Sequence, residues 1–426
     1  MRQFKTIFSF CLIIIFLGAC ATQPHRRFNK EIGRTLHINN GDNHFTGIFF
    51  YDPTSKDTLY RKNSDKYFTP ASNTKIYTLF TAIKLLPEKL PVLKYGLNKD
   101  TVYISGLGDA TQLHPHFKDS TLLHFLKDHK EVVYYPPFFE DEKFGPGWAW
   151  EDYDWYYSAE RSAMPLYGNV ITVHNHPKVL VSPEYFKDSI VNIAYSRNRK
   201  PSDNTFFFSG VRKDTMEIPF ITSDELSIRL LETALGKSIK KVDSIPVAEK
   251  QWVYGMASDS VYKRMMQESD NFLAEQLLIQ ASGMLSDTLS SGRARQFVLD
   301  SLLTDLEQAP RWVDGSGLSR YNLFTPESLV EVLRRMYEEI PRNRLFNLFA
   351  VGGESGTLES WYEGNPTPYI YAKTGTLGNN HCLSGYLITA SGKTIIFSFM
   401  NNHFRIPNTA IKERMQHILE WVRDNY

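Results

Sequence analysis

The sequence predicts an α/β (α+β) fold in which one domain of mixed helices and strands is interrupted by an inserted β-rich domain. Strand-like segments stand near both ends of the chain, and helical segments lie between them. Between residues 99 and 246 the composition changes, because Tyr, Phe, Pro and Gly become frequent and few stretches are helical. We therefore predict one domain formed by residues 30–98 and 247–426, with residues 99–246 as the insert.

Composition and charge narrow the class of protein. With 426 residues the chain is longer than one average domain, and its apolar fraction of 42% is ample for a packed core. The 48 Lys and Arg residues nearly balance the 47 Asp and Glu residues, so no basic surface is predicted. These values argue against a disordered chain and against a nucleic-acid-binding protein.

The first 20 residues are typical of a lipoprotein signal peptide. Two basic residues precede an apolar run over residues 7–17, which is too short to span a bilayer as a helix. The run ends in Leu17-Gly18-Ala19-Cys20, which resembles a bacterial lipobox. We predict that Cys20 is lipidated and anchors the mature protein to a membrane; an ordinary signal peptide and a retained membrane anchor are the alternatives. Cys382 is predicted to be a small buried residue, because no nucleophile motif surrounds it.

The individual helices and strands follow from hydrophobic spacing. Residues 45–51 form a strand pattern, and residues 72–86 carry an apolar stripe at helical spacing. Pro70 and Ser72 are start signals for that helix, and Thr325-Pro326 is the start signal of a later one. The other helices are predicted at 224–235, 259–266, 271–280 and 409–423, and the other strands at 101–105, 170–173, 179–182, 205–210, 369–373, 382–389 and 394–401.

The first candidate site is Ser72-Asn73-Thr74-Lys75. Positions i and i+3 lie on one helix face, so Lys75 can meet the Ser72 hydroxyl, which needs a base to become a nucleophile. Ser72 also stands at the predicted helix start, where free backbone N–H groups favour negative charge. Lys75 can be that base only when neutral, and burial together with a second cation, Lys373, would lower its pKa.

Two other Ser–Lys pairs share the spacing, at Ser238…Lys241 and Ser260…Lys263. The first stands in a charged stretch and the second on a charged helix, so both are predicted to face solvent. The helix after Ser72 is strongly apolar instead. We therefore predict Ser72 as the nucleophile.

The second candidate site, Ser269-Asp270-Asn271, links two predicted helices. Such a loop can project the Ser269 hydroxyl and the Asn271 amide into a cleft. Ser269 would relay a proton between Lys75 and a leaving amine, and Asn271 would hold a peptide carbonyl of the substrate. A plain helix cap is the simpler alternative. A second Ser-Asp-Asn, at residues 202–204, is explained as a polar turn.

The third candidate site is Lys373-Thr374-Gly375, which occurs once in the chain. On a strand edge, Lys373 and the hydroxyls of Thr374 and Thr376 can bind a terminal carboxylate, while Gly375 would leave room for a substrate backbone. The backbone N–H groups of Thr376 and Ser72 would form an oxyanion hole. A strand with an exposed lysine is the alternative.

Taken together, the three motifs are similar to the set found in penicillin-binding proteins and class A β-lactamases. The chain as a whole resembles the D-alanyl-D-alanine carboxypeptidase/endopeptidase family of low-molecular-mass class C penicillin-binding proteins. Beyond the three motifs, five segments carry the resemblance: Gly106 to Leu113, Pro146 to Trp150 (the tryptophan motif), Asp314 to Arg320, Gly352 to Leu358 and Leu383 to Tyr386.

This resemblance implies a fold and a reaction. The fold is the penicillin-recognising serine transpeptidase/β-lactamase-like one, a central antiparallel sheet flanked by helices. The reaction is hydrolysis of D-Ala–D-Ala or D-Ala cross-links in peptidoglycan stem peptides, through an acyl-enzyme on Ser72. β-Lactams are expected as covalent inhibitors, the periplasm as the compartment, and neither a metal nor an organic cofactor is implied. Family members often carry an aspartate before the tryptophan motif, but residues 134–139 are Tyr-Tyr-Pro-Pro-Phe-Phe, so the preferred third residue of the stem peptide stays open.

Two alternatives stay open at this point. A β-lactamase or a serine esterase could use the same fold, although no clear counterpart of the class A deacylating glutamate loop is seen. A catalytically idle wall-binding protein could also keep the fold, but it would not need all seven of the polar side chains assigned a role above, which are Ser72, Lys75, Ser269, Asn271, Lys373, Thr374 and Thr376.

Overall fold

The computed structural model describes residues 30–34, 43–175, 178–243, 245 and 250–426. The predicted signal peptide, including Cys20, lies outside these residues. None of the helices within them is both long and apolar enough to cross a membrane. A short helix covers residues 30–34, and the longer helices are Lys75–Leu85, Thr121–Lys127, Asp224–Leu235, Ser258–Gln267, Asn271–Leu285, Ser291–Ser301, Pro326–Glu339, Arg342–Leu348 and Asn408–Asn425.

A six-stranded sheet at the centre of the molecule joins the two ends of the chain. Its strand order is Ala350–Val351, Ile370–Leu377, Asn380–Ile388, Thr394–Asn402, Phe45–Asp52 and Asp57–Lys62. Every neighbouring pair is antiparallel. The prediction of a central antiparallel sheet built from both ends of the chain is confirmed.

Helices cover both faces of this sheet. On one face, apolar side chains of three helices pack against the sheet and against one another; these helices are Lys75–Leu85, Asn271–Leu285 and Pro326–Glu339. The C-terminal helix, Asn408–Asn425, buries Ile411, Met415 and Ile418 on the other face. The helix that begins at Pro326 has the predicted cap, because the Thr325 hydroxyl accepts a hydrogen bond from the Ser328 backbone N–H.

A second region has its own sheets and its own hydrophobic core. Its larger sheet has the strand order Ile239–Lys241, Glu131–Tyr134, Thr101–Gly106, Lys89–Asn98 and Gln251–Ala257, and a three-stranded sheet contains Met216–Pro219, Val170–Asn175 and Val179–Ser182. Two short pairs join Ile190–Val191 to Phe206–Phe207 and Phe138–Phe139 to Thr288–Leu289. The larger sheet uses strands on both sides of residues 99 and 246, so those limits of the insert stay a prediction.

Several local features differ from the sequence prediction, and the helices Thr121–Lys127 and Arg342–Leu348 are among those not predicted. The strand expected over 205–210 contains only Phe206–Phe207. The helix expected to begin at Ser72 is divided into a 3-10 turn, Ala71–Thr74, and an α-helix that begins at Lys75. The helix Ser291–Ser301 was not predicted, because it buries only Ser291, Ala294 and Val298 and so lacks a strong apolar stripe.

Candidate active site

Ser72 lies in the 3-10 turn that directly precedes the Lys75–Leu85 helix. The turn is entered through Ala71, whose φ of 48° is in the left-handed region. Two side chains hold the turn: the Thr74 hydroxyl donates to the Ala71 carbonyl at 2.9 Å, and the buried Asn73 amide donates to Ser384 Oγ at 2.8 Å. Ser72 is therefore fixed to the central sheet through its neighbour in the chain.

Lys75 connects the first two motifs with the loop that carries Ser316. Its Nζ lies 3.0 Å from Ser72 Oγ, 2.6 Å from Asn271 Oδ1 and 2.7 Å from the Ser316 carbonyl oxygen. The side chain is completely buried. A neutral amine at 3.0 Å from a serine hydroxyl can accept its proton, which is the geometry that a general base needs.

Burial also determines the charge of Lys75. It lowers the pKa of the Lys75 ammonium to about 8, although the carboxylates of Asp314, Glu275 and Asp270 act in the opposite direction. A lysine of ordinary pKa would be almost entirely protonated at neutral pH. This lysine is neutral often enough to serve as a base.

Ser269 and Asn271 stand at the junction of the helices Ser258–Gln267 and Asn271–Leu285. Ser269 has a φ of 60°, and Asp270 caps the second helix by accepting from the Leu273 backbone N–H. The Asn271 amide accepts from Lys75 and donates to the Tyr157 carbonyl at 3.0 Å. The side chains of Ser269 and Asn271 thus reach the cleft that contains Ser72.

Lys373 lies on the Ile370–Leu377 strand and is fully buried. Its Nζ donates to Ser269 Oγ at 2.9 Å and to the Thr374 carbonyl at 2.9 Å. Burial and the nearby positive charge of Lys75 hold the pKa of Lys373 well below its usual value. A bound carboxylate would favour the charged form again, so the charge on Lys373 depends on the ligand.

Two glycines allow three segments to meet at Ser72. A Cβ on Gly375 would lie 2.4 Å from the Pro70 carbonyl oxygen and 3.0 Å from the Ser72 nitrogen. A Cβ on Gly317, which has a φ of 82°, would lie 1.9 Å from the Ala71 carbonyl oxygen. The space beside Gly375 that we predicted for a substrate backbone is therefore filled by the protein's own Ser72 turn.

The two threonines of the third motif have separate partners. Thr374 Oγ1 donates to Thr357 Oγ1 at 2.7 Å, and Thr376 Oγ1 lies 2.9 Å from His381 Nδ1. Thr376 is exposed and, like Ser72, lines the cleft. These hydroxyls and Lys373 form a polar strand end that can bind an anion.

The cleft has a volume of about 610 Å³ and is lined from both regions of the molecule. The central-sheet region contributes Ser72, Ser269, Asn271 and Thr376, and the second region contributes His114, Asp152, Tyr157, Gly168 and Glu217. Burial and repulsion by Asp270 raise the pKa of Glu217. An extended chain can lie between a nucleophile on one wall and these polar groups on the other.

A buried ion pair under the site was missed at the sequence level. Glu275 and Arg161 are 1% and 3% exposed, and Arg161 Nη2 lies 2.6 Å from Glu275 Oε2. The other Glu275 oxygen accepts a hydrogen bond from the Ser316 backbone N–H at 2.7 Å. This contact helps to orient Ser316, whose carbonyl oxygen accepts a hydrogen bond from Lys75. Glu275 follows Asn271 by four positions on a largely apolar helix in which it is the only charged residue, and that spacing is the signal that could have revealed it.

Asp314 holds the loop that carries Ser316. Its carboxylate accepts hydrogen bonds from the backbone N–H groups of Gly317 at 2.8 Å and Ser319 at 2.6 Å. It also accepts from Trp148 Nε1 at 2.9 Å. Two segments that carry the family resemblance are therefore in direct contact.

The competing sequence motifs are not near this cleft. Ser238, Lys241, Ser260 and Lys263 are all exposed. The Ser-Asp-Asn at residues 202–204 is a surface turn, in which Asp203 accepts from the Thr205 backbone N–H.

Cysteine and metal-ligating side chains complete the description of the site. Cys382 is buried, as predicted, and burial raises the pKa of its thiol to about 12. Within the described ranges, no group of three His, Cys, Asp or Glu side chains is arranged to hold a metal ion.

Similar sequences come from several bacteria. The D-alanyl-D-alanine carboxypeptidase DacB of Haemophilus influenzae is 27% identical over 173 residues, which are 38% of this chain and 36% of that protein. The match therefore spans little more than a third of that relative's length. The D-alanyl-D-alanine carboxypeptidase of an Actinomadura species is 24% identical over 423 residues, which cover 84% of this chain and 77% of that protein.

Solved structures and a family profile are similar to a longer part of the chain than the first of these relatives. The crystal structure of penicillin-binding protein 4 (DacB) from Haemophilus influenzae has a TM-score of 0.71 at 17% identity and covers 91% of this chain and 98% of that one. The predicted penicillin-recognising fold is thereby confirmed. The profile of the Peptidase S13 family matches residues 36–206 and 246–425. The chain belongs to this family, the D-Ala-D-Ala carboxypeptidase 3 (S13) family.

Proposed function

We propose that the protein is a serine-type D-Ala-D-Ala carboxypeptidase and DD-endopeptidase that acts on peptidoglycan stem peptides. One observation carries this proposal: Ser72 Oγ lies 3.0 Å from Nζ of a fully buried lysine whose pKa is lowered to about 8. The names of its relatives, which include D-alanyl-D-alanine carboxypeptidases, support the same reaction.

In the acylation step that we propose, Lys75 is the base and Ser269, which lines the same cleft, is the proton relay. Neutral Lys75 accepts the Ser72 proton while Oγ bonds to the carbonyl carbon of the penultimate D-Ala, and the backbone N–H groups of Ser72 and Thr376 stabilise the oxyanion. The C–N bond then breaks, and the proton passes through Ser269 to the leaving amine. Water next attacks the acyl-enzyme, gives one proton back to Ser72 Oγ and releases the shortened peptide.

The remaining polar groups orient the substrate. Asn271 contacts its peptide carbonyl, while Lys373 and Thr376 bind its terminal carboxylate, and Thr374 joins them once its hydroxyl turns away from Thr357. Burial and the charge of Lys75 lower the pKa of Lys373, and a bound anion acts in the opposite direction, so that carboxylate recognition and the charge of Lys373 are coupled.

Covalent labelling tests this assignment. Fluorescent penicillin should label the wild-type protein, and Ser72→Ala should abolish the labelling. Ser238→Ala and Ser260→Ala are matched controls, since their serines have the same spacing to a lysine but are exposed. Loss of labelling in either control, with retention in Ser72→Ala, would contradict the choice of nucleophile. Mass analysis of digested muropeptides, monomeric and cross-linked, then separates carboxypeptidase from endopeptidase activity.

We also propose that the protein is a lipoprotein with its catalytic region in the periplasm. The support is the sequence Leu17-Gly18-Ala19-Cys20 directly after a short apolar run. Cys20→Ser should move the protein from the membrane fraction to the soluble fraction. An unchanged distribution, or an unmodified Cys20 in the mass spectrum, would contradict the proposal.

A further inference from the structure

His381 is a buried histidine that contacts one of the hydroxyls of the third motif. It lies directly across from Thr376 on the neighbouring strand, Asn380–Ile388, and only 1% of it is exposed. Its Nδ1 is 2.9 Å from Thr376 Oγ1. Its Nε2 is buried and has no hydrogen-bond partner among the described residues. Within the part of the chain that the structure describes, the one hydrogen bond of the ring is therefore with a hydroxyl that lines the cleft.

The surroundings of His381 keep the ring neutral. On its other side the strand pairs His381 with Asn401, whose amide is already bonded to Thr46 Oγ1 and to Met415 Sδ. Lys412, from the C-terminal helix, is the charged group that acts on the ring. Burial, followed by the positive charge of Lys412, lowers the pKa of His381 to about 3. The imidazole therefore carries a single proton at neutral pH.

The position of that proton follows from the two nitrogens. If Nε2 carried it, a buried N–H donor would have no acceptor among the described residues. If Nδ1 carries it, that N–H has the Thr376 hydroxyl as its acceptor, and only the Nε2 lone pair is left without a partner there. An unmade hydrogen bond of a buried donor is costly, so the second tautomer is favoured. Nδ1–H then donates to Thr376 Oγ1.

We propose that His381 is a positioning residue that turns the hydroxyl hydrogen of Thr376 toward the terminal carboxylate of the substrate. With one lone pair of Oγ1 occupied by Nδ1–H, the hydroxyl is left as a donor that faces the cleft. A carboxylate can only accept hydrogen bonds, so a hydroxyl held in this orientation suits it. The inference rests on the proposed function, because it concerns the carboxylate that the third motif binds.

Acylation by a penicillin and by its methyl ester tests the role of His381. The ester lacks the anionic carboxylate but keeps the reacting carbonyl. His381→Leu should lower kinact/KI for the free acid by about three- to tenfold, which is the loss of part of a charge-assisted hydrogen bond. The same variant should leave the value for the ester nearly unchanged. Equal losses for acid and ester, or no loss for either, would overturn the proposal.

A rescue variant separates positioning from packing. The amide nitrogen of an asparagine can take the place of Nδ1, so His381→Asn should recover most of the acid-specific loss. In a Thr376→Val background, His381→Leu should cause no further loss for the acid, because the hydroxyl it positions is gone. An asparagine no better than leucine, or a full additional loss in the double variant, would contradict the inference.

A spectroscopic measurement keeps the test independent of the variants' folding. Nitrogen-15 correlation spectra of the wild-type protein should show His381 with a protonated Nδ1 and an unprotonated Nε2. The opposite tautomer would overturn the proposal even if every variant folds. A wild-type protein that no penicillin acylates would contradict the proposed function instead, and the tautomer would still be measurable.

Discussion

Lys75→Arg is the substitution that tests the proposed base most directly. Arginine keeps the positive charge but cannot lose its proton under these conditions. The site also has no room for a guanidinium, because Lys75 is fully buried and its Nζ makes hydrogen bonds to Ser72, Asn271 and Ser316. Loss of a general base costs on the order of 10²–10⁴-fold in rate. We expect the acylation rate to fall toward the larger value.

The lowered pKa of Lys75 predicts how strongly the acylation rate of the wild-type protein depends on pH. With a pKa of about 8, Lys75 is neutral in about one-tenth of molecules at pH 7 and in about nine-tenths at pH 9. Since only the neutral amine accepts the proton, single-turnover acylation by penicillin should rise about tenfold over this range. The rate of the Lys75→Arg variant should not change with pH in this way.

Two further lysine substitutions serve as comparisons for Lys75→Arg. One changes a lysine outside the site on the same helix, and the other changes the second lysine of the site. Lys84→Arg changes an exposed residue of the same helix, whose Nζ lies 2.5 Å from Glu339, and should leave the rate and the pH profile intact. Lys373→Arg keeps a cation for the carboxylate and should reduce the rate less than Lys75→Arg. Equal and mild losses in Lys75→Arg and Lys373→Arg, with the pH dependence retained, would refute the role of Lys75 as the base.

Two other predictions concern the support of the site. Arg161→Ala leaves the carboxylate of Glu275 buried without its partner and should lower the free energy of unfolding by about 3–5 kcal/mol, measured by chemical denaturation; a loss below about 1 kcal/mol would show that water replaces the guanidinium. Gly375→Ala places a methyl group 2.4 Å from the Pro70 carbonyl oxygen and should abolish penicillin labelling, whereas Gly292→Ala, on an open helix surface, should retain it. Labelling that survives Gly375→Ala would mean that the strand can move away from the Ser72 turn.

The chemistry-bearing residues were predictable because each motif is short and local. The spacing of Ser72 and Lys75 is a property of one helical turn, and the strands near both chain ends were visible as apolar runs. The central sheet followed from those runs, since two buried strands from opposite ends must find partners. Local sequence patterns therefore predicted both the fold class and the residues that meet in the cleft.

What the sequence could not provide were contacts between segments distant along the chain. Nothing near Arg161 indicates that it pairs with Glu275, 114 positions away. Burial and Lys373 were both expected to lower the pKa of Lys75; burial does so, but the repulsion between the two lysines lowers the pKa of Lys373 instead. Gly375 was assigned to the substrate, whereas it makes room for the Ser72 turn, a contact that only the folded chain reveals.

The second region contributes to the catalytic centre itself, and this limits how the chain can be rebuilt. Tyr157 holds the Asn271 amide, Trp148 holds Asp314, and Arg161 neutralises Glu275. A shortened chain that joins residue 98 directly to residue 247 would lose all three donors and acceptors at once. It would keep the three sequence motifs and yet leave a bare carboxylate beneath the nucleophile. The two regions are therefore interdependent, and neither can be exchanged for that of a distant relative without redesigning the surface that joins them.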